Sequence, residues 1–290
     1  MLSIGAPSRA RASYRTFRAG SLRRLPLDRM TNEFGFSFAP QGWHYLRALL
    51  AEYERNPQVR LEETTFWRFF QHDRVRSVRY LNDVLYLHDP TRRDREGDFR
   101  FYLGTYPWGD HVSGGPWGIH FDSVEGASTR DVYGDSRNPW YEPGESRPLE
   151  FEWRQTIRTY ESVRKGYRPW LHRSLPQMTL LVRRDGDFRA VRYNGQHRLA
   201  SLAQLGRRRV AVFVPSARRI NAELASWPTA STAPKVVTER EVVVREDEVD
   251  KWYYVKRGLC SPEQALEIFD AFFDLDGSER LAALGLPRAY

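Results

Sequence analysis

The sequence predicts an α+β protein in which a small mixed sheet packs against helices. Three observations support this. Met178–Val182 and Phe188–Tyr193 have the composition and alternation of strands, and Asp185-Gly186 between them is a strong hairpin signal. After Gly195 the apolar period changes from two to that of a helix, with Leu199, Leu202, Ala203 and Leu205 on one face. Arg209–Val214 is again an apolar strand, so the predicted unit is hairpin, turn, helix, strand.

The length and composition allow a large buried core. The chain has 290 residues, of which 41% are apolar and 14% aromatic, which is compatible with about two domains. We predict five segments with different roles. They are a basic tail or misassigned start (1–29), a helical region (30–88), a loop-rich aromatic and glycine-rich segment (89–148), the core unit (149–220), and a linker with C-terminal helices (221–290).

The formal net charge of +8 is concentrated near the N-terminus. Residues 1–29 contain seven arginines and a single acid, Asp28, in a segment without a clear apolar period. We interpret this segment as a dispensable tail or a misassigned start, with the true start at Met30, in preference to a functional basic arm. The net charge of the remaining 261 residues is close to zero, which weakens the interpretation that the whole chain binds a nucleic acid.

The cellular compartment follows from two simple features. The chain has one cysteine, Cys260, so it forms no internal disulfide, and this fits a reducing cytoplasm. No run of about 18 apolar residues occurs, so we expect no transmembrane helix and no membrane partner.

The region 30–88 is predicted to be helical. Pro40–Trp43 opens a helix that runs to about Arg55, a second helix includes Thr65–Phe70, and a third includes Val75–Leu81. Trp67 and Phe70 are interpreted as core residues. Alternatively, these aromatic side chains could stack on the bases of a nucleic acid, in which case the arginines between them would contact its phosphates.

The segment 89–148 has no helical period and many glycines and tryptophans. We predict that it forms a lid or substrate pocket over the Gly195 turn. Ser113–Pro116 is read as a turn, since it lacks the Lys and Ser/Thr of a phosphate-binding loop. His111, His120 and Asp122 match no strong metal-binding spacing, so we predict no metal site.

The C-terminal region is predicted to be a small helical appendage. Ser261–Gln264 is a capping box with proline at the first helical position. The apolar stripe that follows includes Ile268 and Phe272, and Ser278 begins a last short helix to Leu284. We expect these helices to pack on the core or to form a homodimer contact.

The segment Asn194-Gly195-Gln196-His197-Arg198 carries the main functional prediction. The first N–H groups of a helix have no partner inside it and carry partial positive charge. Gly195 allows a ligand to approach the backbone closely. Arg198 can offer a planar fork to a phosphate, and His197 can move a proton near neutral pH. These residues therefore predict an anion site, although a purely structural turn has a similar local pattern.

The segment from about Phe151 to Val214 resembles the ParB/sulfiredoxin superfamily, including bacterial members of it. The resemblance rests on the order of the elements and on the Asn-Gly-Gln-His-Arg turn, and it covers about residues 150–215. It implies a ParB/sulfiredoxin-like small mixed sheet with helices. In partition proteins of this superfamily the turn binds CTP phosphates, and in serine kinases it lies near the phosphates of a nucleotide.

Departures from the family patterns narrow what the resemblance implies. Sulfiredoxins have a reactive cysteine after the glycine, where this chain has Gln196, so sulfur chemistry is not expected. No clear helix-turn-helix follows Pro215, which argues against chromosome partitioning. Related kinases have aspartate where this chain has Asn194, which puts metal binding or catalysis at that position in doubt.

The sequence thus favours a nucleotide-binding protein of ParB/sulfiredoxin type that acts as a phosphotransferase on a small molecule or sugar. ATP, ADP or CTP, with Mg²⁺, would be the cofactor. His197 and an upstream acid would be catalytic, with Glu142 and Glu145 as the first candidates and Glu150 and Glu152 as further ones. The alternative is a non-catalytic module that binds a nucleotide or a nucleic acid.

Overall fold

A computed structural model describes residues 20–78, 80–87, 99–101, 106–108, 147–169, 175–215 and 243–290. The strands are β1 (Gly20–Pro26), β2 (Met30–Thr31), β3 (Gln177–Val182), β4 (Phe188–Asn194), β5 (Arg209–Pro215) and β6 (Val243–Arg245). The helices are α1 (Tyr45–Arg55), α2 (Thr65–Gln71), α3 (Asp73–Arg76), α4 (Leu81–Leu85), α5 (Arg147–Arg164), α6 (Gln196–Gln204), α7 (Tyr253–Lys256), α8 (Pro262–Asp274) and α9 (Ser278–Ala283).

These strands form one mixed sheet, as the sequence predicts. The order is β1-β5-β3-β4-β2, and β6 pairs with β3 off this path. β3 and β4 form the predicted antiparallel hairpin, whose turn contains Gly186 at φ 88°. β5 runs antiparallel to β1 and parallel to β3. The α+β class and the hairpin, turn, helix and strand unit are therefore confirmed.

Part of the predicted N-terminal tail belongs to this sheet. β1 lies within the segment 1–29, and its seven residues pair with β5 in antiparallel register from Gly20 to Pro26. Arg29 also forms an ion pair with Asp187 at 2.5 Å. For residues 20–29 the prediction of a dispensable tail is wrong, because backbone pairing with a central strand outweighs the weak apolar pattern of the segment.

β4 is buried on both faces over much of its length. Its alternation of apolar and basic residues predicts one exposed face, but Ala190, Val191, Arg192 and Tyr193 are all buried. Arg192 is 4% exposed and forms an ion pair with Glu33, which is 1% exposed. The pattern was misleading because the Arg192 cation is neutralised inside the protein rather than by solvent.

The helices of the N-terminal region pack around aromatic side chains. α1 begins after His44 rather than at Trp43, since the Nδ1 atom of His44 accepts from the Leu46 N–H as a cap. α2 agrees with its predicted range, and Phe70 is buried as expected. The predicted helix Val75–Leu81 is instead divided between α3 and α4.

The C-terminal helices are part of the common core and are not an appendage. α8 starts with the predicted Ser261 capping box, and its Phe269 and Phe272 are fully buried. Arg280 on α9 is also fully buried and donates to the carbonyls of Phe34, Gly35 and Val84. Because Arg280 binds chain segments almost 250 residues earlier, the two ends of the chain share one core.

Two further sequence predictions concern larger regions. Across the described ranges, every helix is too short or too polar to cross a bilayer. The segment 89–148, including Ser113–Pro116, His111, His120 and Asp122, falls almost wholly outside the described residues. The lid therefore stays a prediction.

Candidate functional site

The predicted anion-binding turn has the expected backbone shape. β4 ends at Asn194, Gly195 adopts the left-handed conformation at φ 94°, and α6 begins at Gln196. A Cβ atom added to Gly195 would lie 3.0 Å from both the Nη2 atom of Arg198 and the Cα atom of Pro176. Glycine is therefore required both for the turn and for the Arg198 side chain, which lies directly over it.

The N-terminus of α6 offers free backbone donors. Gly195 provides no side-chain cap, and the first backbone hydrogen bond runs from the Leu199 N–H to the Gly195 carbonyl. Within the described ranges, the N–H groups of Gln196, His197 and Arg198 have no acceptor. Three backbone donors at the positive end of a helix are the groups that commonly bind an oxyanion.

Arg198 adds a poorly neutralised positive charge to these donors. Its side chain is largely buried, and its Nε atom is buried without a hydrogen-bond partner. Burial lowers the pKa of the Arg198 guanidinium, and Tyr167 nearby opposes that shift. Burial also raises the pKa of Tyr167 to about 12, so its hydroxyl is neutral. No carboxylate of the described residues pairs with Arg198, so a bound anion would be its counter-charge.

His197 forms a short contact with a buried acid. Its Nε2 atom lies 2.6 Å from the Oε2 atom of Glu152, which is on α5 and only 6% exposed. With Nε2–H donated to the carboxylate, the Nδ1 atom of His197 keeps its lone pair. The imidazole is 24% exposed, so this lone pair can accept a proton from a bound group.

A chain of buried polar groups holds the neighbouring Gln196. The Nδ2 atom of Asn32 donates to the Tyr45 hydroxyl at 2.9 Å, and that hydroxyl donates to the Oε1 atom of Gln196 at 3.4 Å. The Oδ1 atom of Asn32 accepts from the N–H groups of Phe34 and Phe36. The first residue of α6 is therefore positioned by the first residue of α1, which is itself held by Asn32 in the loop after β2.

A second histidine is buried beside this cluster. His44 is fully buried and its ring is stacked on Phe38 with centroids 4.3 Å apart. Burial holds the pKa of His44 well below its usual value, and the positive charges of Arg47, His197 and Arg280 act in the same direction. His44 is therefore a neutral residue that caps α1 and packs close to the His197 side of the site.

The structure brings together most of the predicted binding residues. Gly195, Gln196, His197 and Arg198 converge at the start of α6, whereas the predicted binding residue Asn194 is exposed at the end of β4 and makes no side-chain hydrogen bond to the described residues. The predicted catalytic residues Glu142 and Glu145 lie outside the described residues.

Among the other candidate acids, Glu152 is the one placed at the site. Glu150 instead forms an ion pair with Arg154 on the surface of α5 at 2.5 Å. Asn32, Tyr45 and Tyr167 are site residues that the sequence did not indicate. Their roles depend on contacts across distant segments, and no local spacing indicates them.

The donor set does not resemble a metal centre. Within the part of the chain that the structure describes, no group of three or more His, Cys, Asp or Glu side chains could hold a metal ion. His197 and Glu152 are two groups engaged with each other. Together with the donors of α6, they can bind an anion and transfer a proton.

Fold and site together define an α+β protein with a glycine turn, an open helix N-terminus and a His–Glu pair. Comparison with protein-family models, curated proteins and solved structures gives no match to this chain. The resemblance to the ParB/sulfiredoxin superfamily therefore stays a prediction, and function is argued from the site alone.

Proposed function

We propose that the start of α6 binds a phosphate group of a nucleotide, and that the protein is a phosphotransferase acting on a small molecule or sugar. The observation that carries the proposal is the guanidinium of Arg198 at the Gly195 turn. Its Nε atom is buried without a hydrogen-bond partner, and no carboxylate of the described residues pairs with it. An arginine fork beside a helix N-terminus suits the geometry and charge of a phosphate.

The strength of the site must come from several groups acting together. A helix N-terminus contributes roughly 0.3–1 kcal/mol to a nearby anion, and up to about 2 kcal/mol when it is partly buried. Micromolar affinity corresponds to about 8 kcal/mol. Arg198 and the rest of a nucleotide must supply the difference, which favours a ligand larger than inorganic phosphate.

The His197–Glu152 pair supplies the catalytic part of the proposal. Glu152 orients the imidazole through Nε2, and Nδ1 of His197 accepts the proton of the attacking hydroxyl. In this proposal Glu152 has the role of the upstream acid, for which Glu142 and Glu145 are the first candidates from sequence. Mg²⁺ would enter with the nucleotide phosphates rather than on a dedicated set of protein ligands.

Binding is tested by thermal shift with ATP, ADP and CTP in the presence of Mg²⁺. A ligand at about one hundred times its Kd stabilises the native state by about 2.7 kcal/mol. At about 2 °C per kcal/mol for a chain of this size, the midpoint should rise by roughly 5 °C. Arg198→Ala should lose the shift. Arg164→Ala, which removes an exposed arginine paired with Glu161, should keep it.

Catalysis is tested separately, because a non-catalytic nucleotide-binding module would give the same thermal shift. His197→Ala should retain the shift with the best nucleotide but lose phosphate transfer to a panel of hydroxyl compounds and sugars. If wild-type protein binds nucleotide and transfers no phosphate to any acceptor, the non-catalytic reading is correct. If no nucleotide shifts the midpoint, the binding proposal itself is wrong.

A further inference from the structure

A cluster of exposed arginines lies at the β1 edge of the sheet, away from the α6 N-terminus. Its members, which we call the arginine edge, are Arg24 on β1, Arg207 and Arg208 between α6 and β5, and Arg209, the first residue of β5. The pairing of Pro26 with Arg209 and the hydrogen bond from the Leu27 N–H to the Arg208 carbonyl bring these segments together.

These four side chains have little neutralisation from the protein. None forms an ion pair with a carboxylate in the described ranges. The carboxylate of Glu54, which contacts the last residue of α6, accepts from Gln204 and Tyr160. The partial negative charge at a helix C-terminus can explain why basic residues follow α6. It does not account for Arg24 on the neighbouring edge strand.

The β1 edge is poorly suited to receiving another strand. Pro26 has no N–H to donate, and the Nη2 atom of Arg209 donates to the Arg24 carbonyl at 2.7 Å. Charged side chains, proline and occupied backbone groups are the features that prevent edge-to-edge pairing. A partner at this edge therefore contacts the guanidinium groups rather than the backbone of β1.

We propose that the arginine edge binds the phosphate backbone of a nucleic acid, independently of the nucleotide site. The cluster consists only of arginine, whose fork binds phosphates in a bidentate manner. The nineteen residues that precede β1 add Arg9, Arg11, Arg15 and Arg18 and no acid, so positive charge continues along the chain. An anionic membrane would be the other phosphate-rich partner, but it also needs exposed apolar side chains to insert. Leu22 is the only large exposed apolar side chain of β1, so a nucleic acid fits this edge better.

Fluorescence anisotropy of the full chain with labelled single-stranded DNA, duplex DNA and RNA tests the proposal. Micromolar binding is expected at about 50 mM salt, and each phosphate contact contributes roughly 0.7–0.9 to the slope of log K against log salt. The variant R24Q/R207Q/R208Q/R209Q should bind at least about tenfold more weakly with a flatter slope. The control R154Q/K251Q/K256Q/R257Q removes four exposed cations elsewhere and should bind like wild type.

Four outcomes would overturn the proposal. The first is that wild-type protein fails to bind any of the three probes at low salt. The second is that the control loses as much affinity as the arginine-edge variant. The third is that removal of residues 1–19 abolishes binding while the arginine-edge variant keeps it. The fourth is that the arginine edge is required for binding phosphatidylserine vesicles but not for binding the nucleic acids. Since the four side chains are exposed, unchanged thermal unfolding should show that the variant is folded.

Discussion

Replacing Glu33 by glutamine should destabilise the protein strongly while changing almost no volume. The Glu33 carboxylate is the counter-charge of Arg192, and both side chains are buried, at 1% and 4% exposure. Burial lowers the pKa of Arg192 to about 9, so the guanidinium is still charged at neutral pH. Glutamine would remove the negative charge that Glu33 places against this buried cation. Breaking a buried pair in this way costs about 3–5 kcal/mol.

The expected loss is a large part of the total stability, which for a typical protein is about 5–15 kcal/mol. Urea denaturation should show a lower midpoint with an unchanged m-value. As a control, Glu248→Gln removes the exposed partner of Lys251 and should cost at most about 1 kcal/mol. A cost below about 1 kcal/mol for Glu33→Gln would refute the reasoning, since Arg192 would then have found another counter-charge or water.

Three further predictions concern the site and the single cysteine. Gly195→Ala should cost about 1–2 kcal/mol in thermal unfolding because of its positive φ, and should also reduce the nucleotide-induced shift by displacing Arg198. Glu152→Ala should convert His197 from a single Nε2–H tautomer to a mixture, which the nitrogen chemical shifts of the imidazole report; a single tautomer in both proteins would contradict the orienting role. Burial raises the pKa of Cys260 to about 11, so at pH 8 its modification by a thiol reagent should be roughly a hundred times slower than that of a free thiol, and labelling at the free-thiol rate would show that the residue is accessible.

Local patterns in the sequence predicted the central unit well. The Asp-Gly turn, the change of period after Gly195 and the Ser261 capping box each depend on a few neighbouring residues, and the structure has all three. β1 could not be found in this way. Its residues have a weak apolar pattern, and its strand state depends on pairing with β5, which is far away along the chain.

The candidate site shows the same division between local and distant information. The glycine turn and Arg198 could be predicted because a helix start has a recognisable sequence. The sequence could not show which of several acids contacts His197, because the position of Glu152 depends on how α5 packs against α6. The basic residues of β4 gave a false indication of exposure, since nothing near Arg192 in sequence shows that Glu33 neutralises it.

The contact between Arg280 and the loop before α1 has a consequence for synthesis of the chain. Phe34 and Gly35 receive their guanidinium partner only after about 245 further residues have been added. At about 5–20 residues per second, that interval is roughly 12–50 s. During this time the loop that positions Tyr45 has no final partner on its Arg280 side. Chaperones that bind nascent chains would therefore meet this aromatic segment before the native core can close over it.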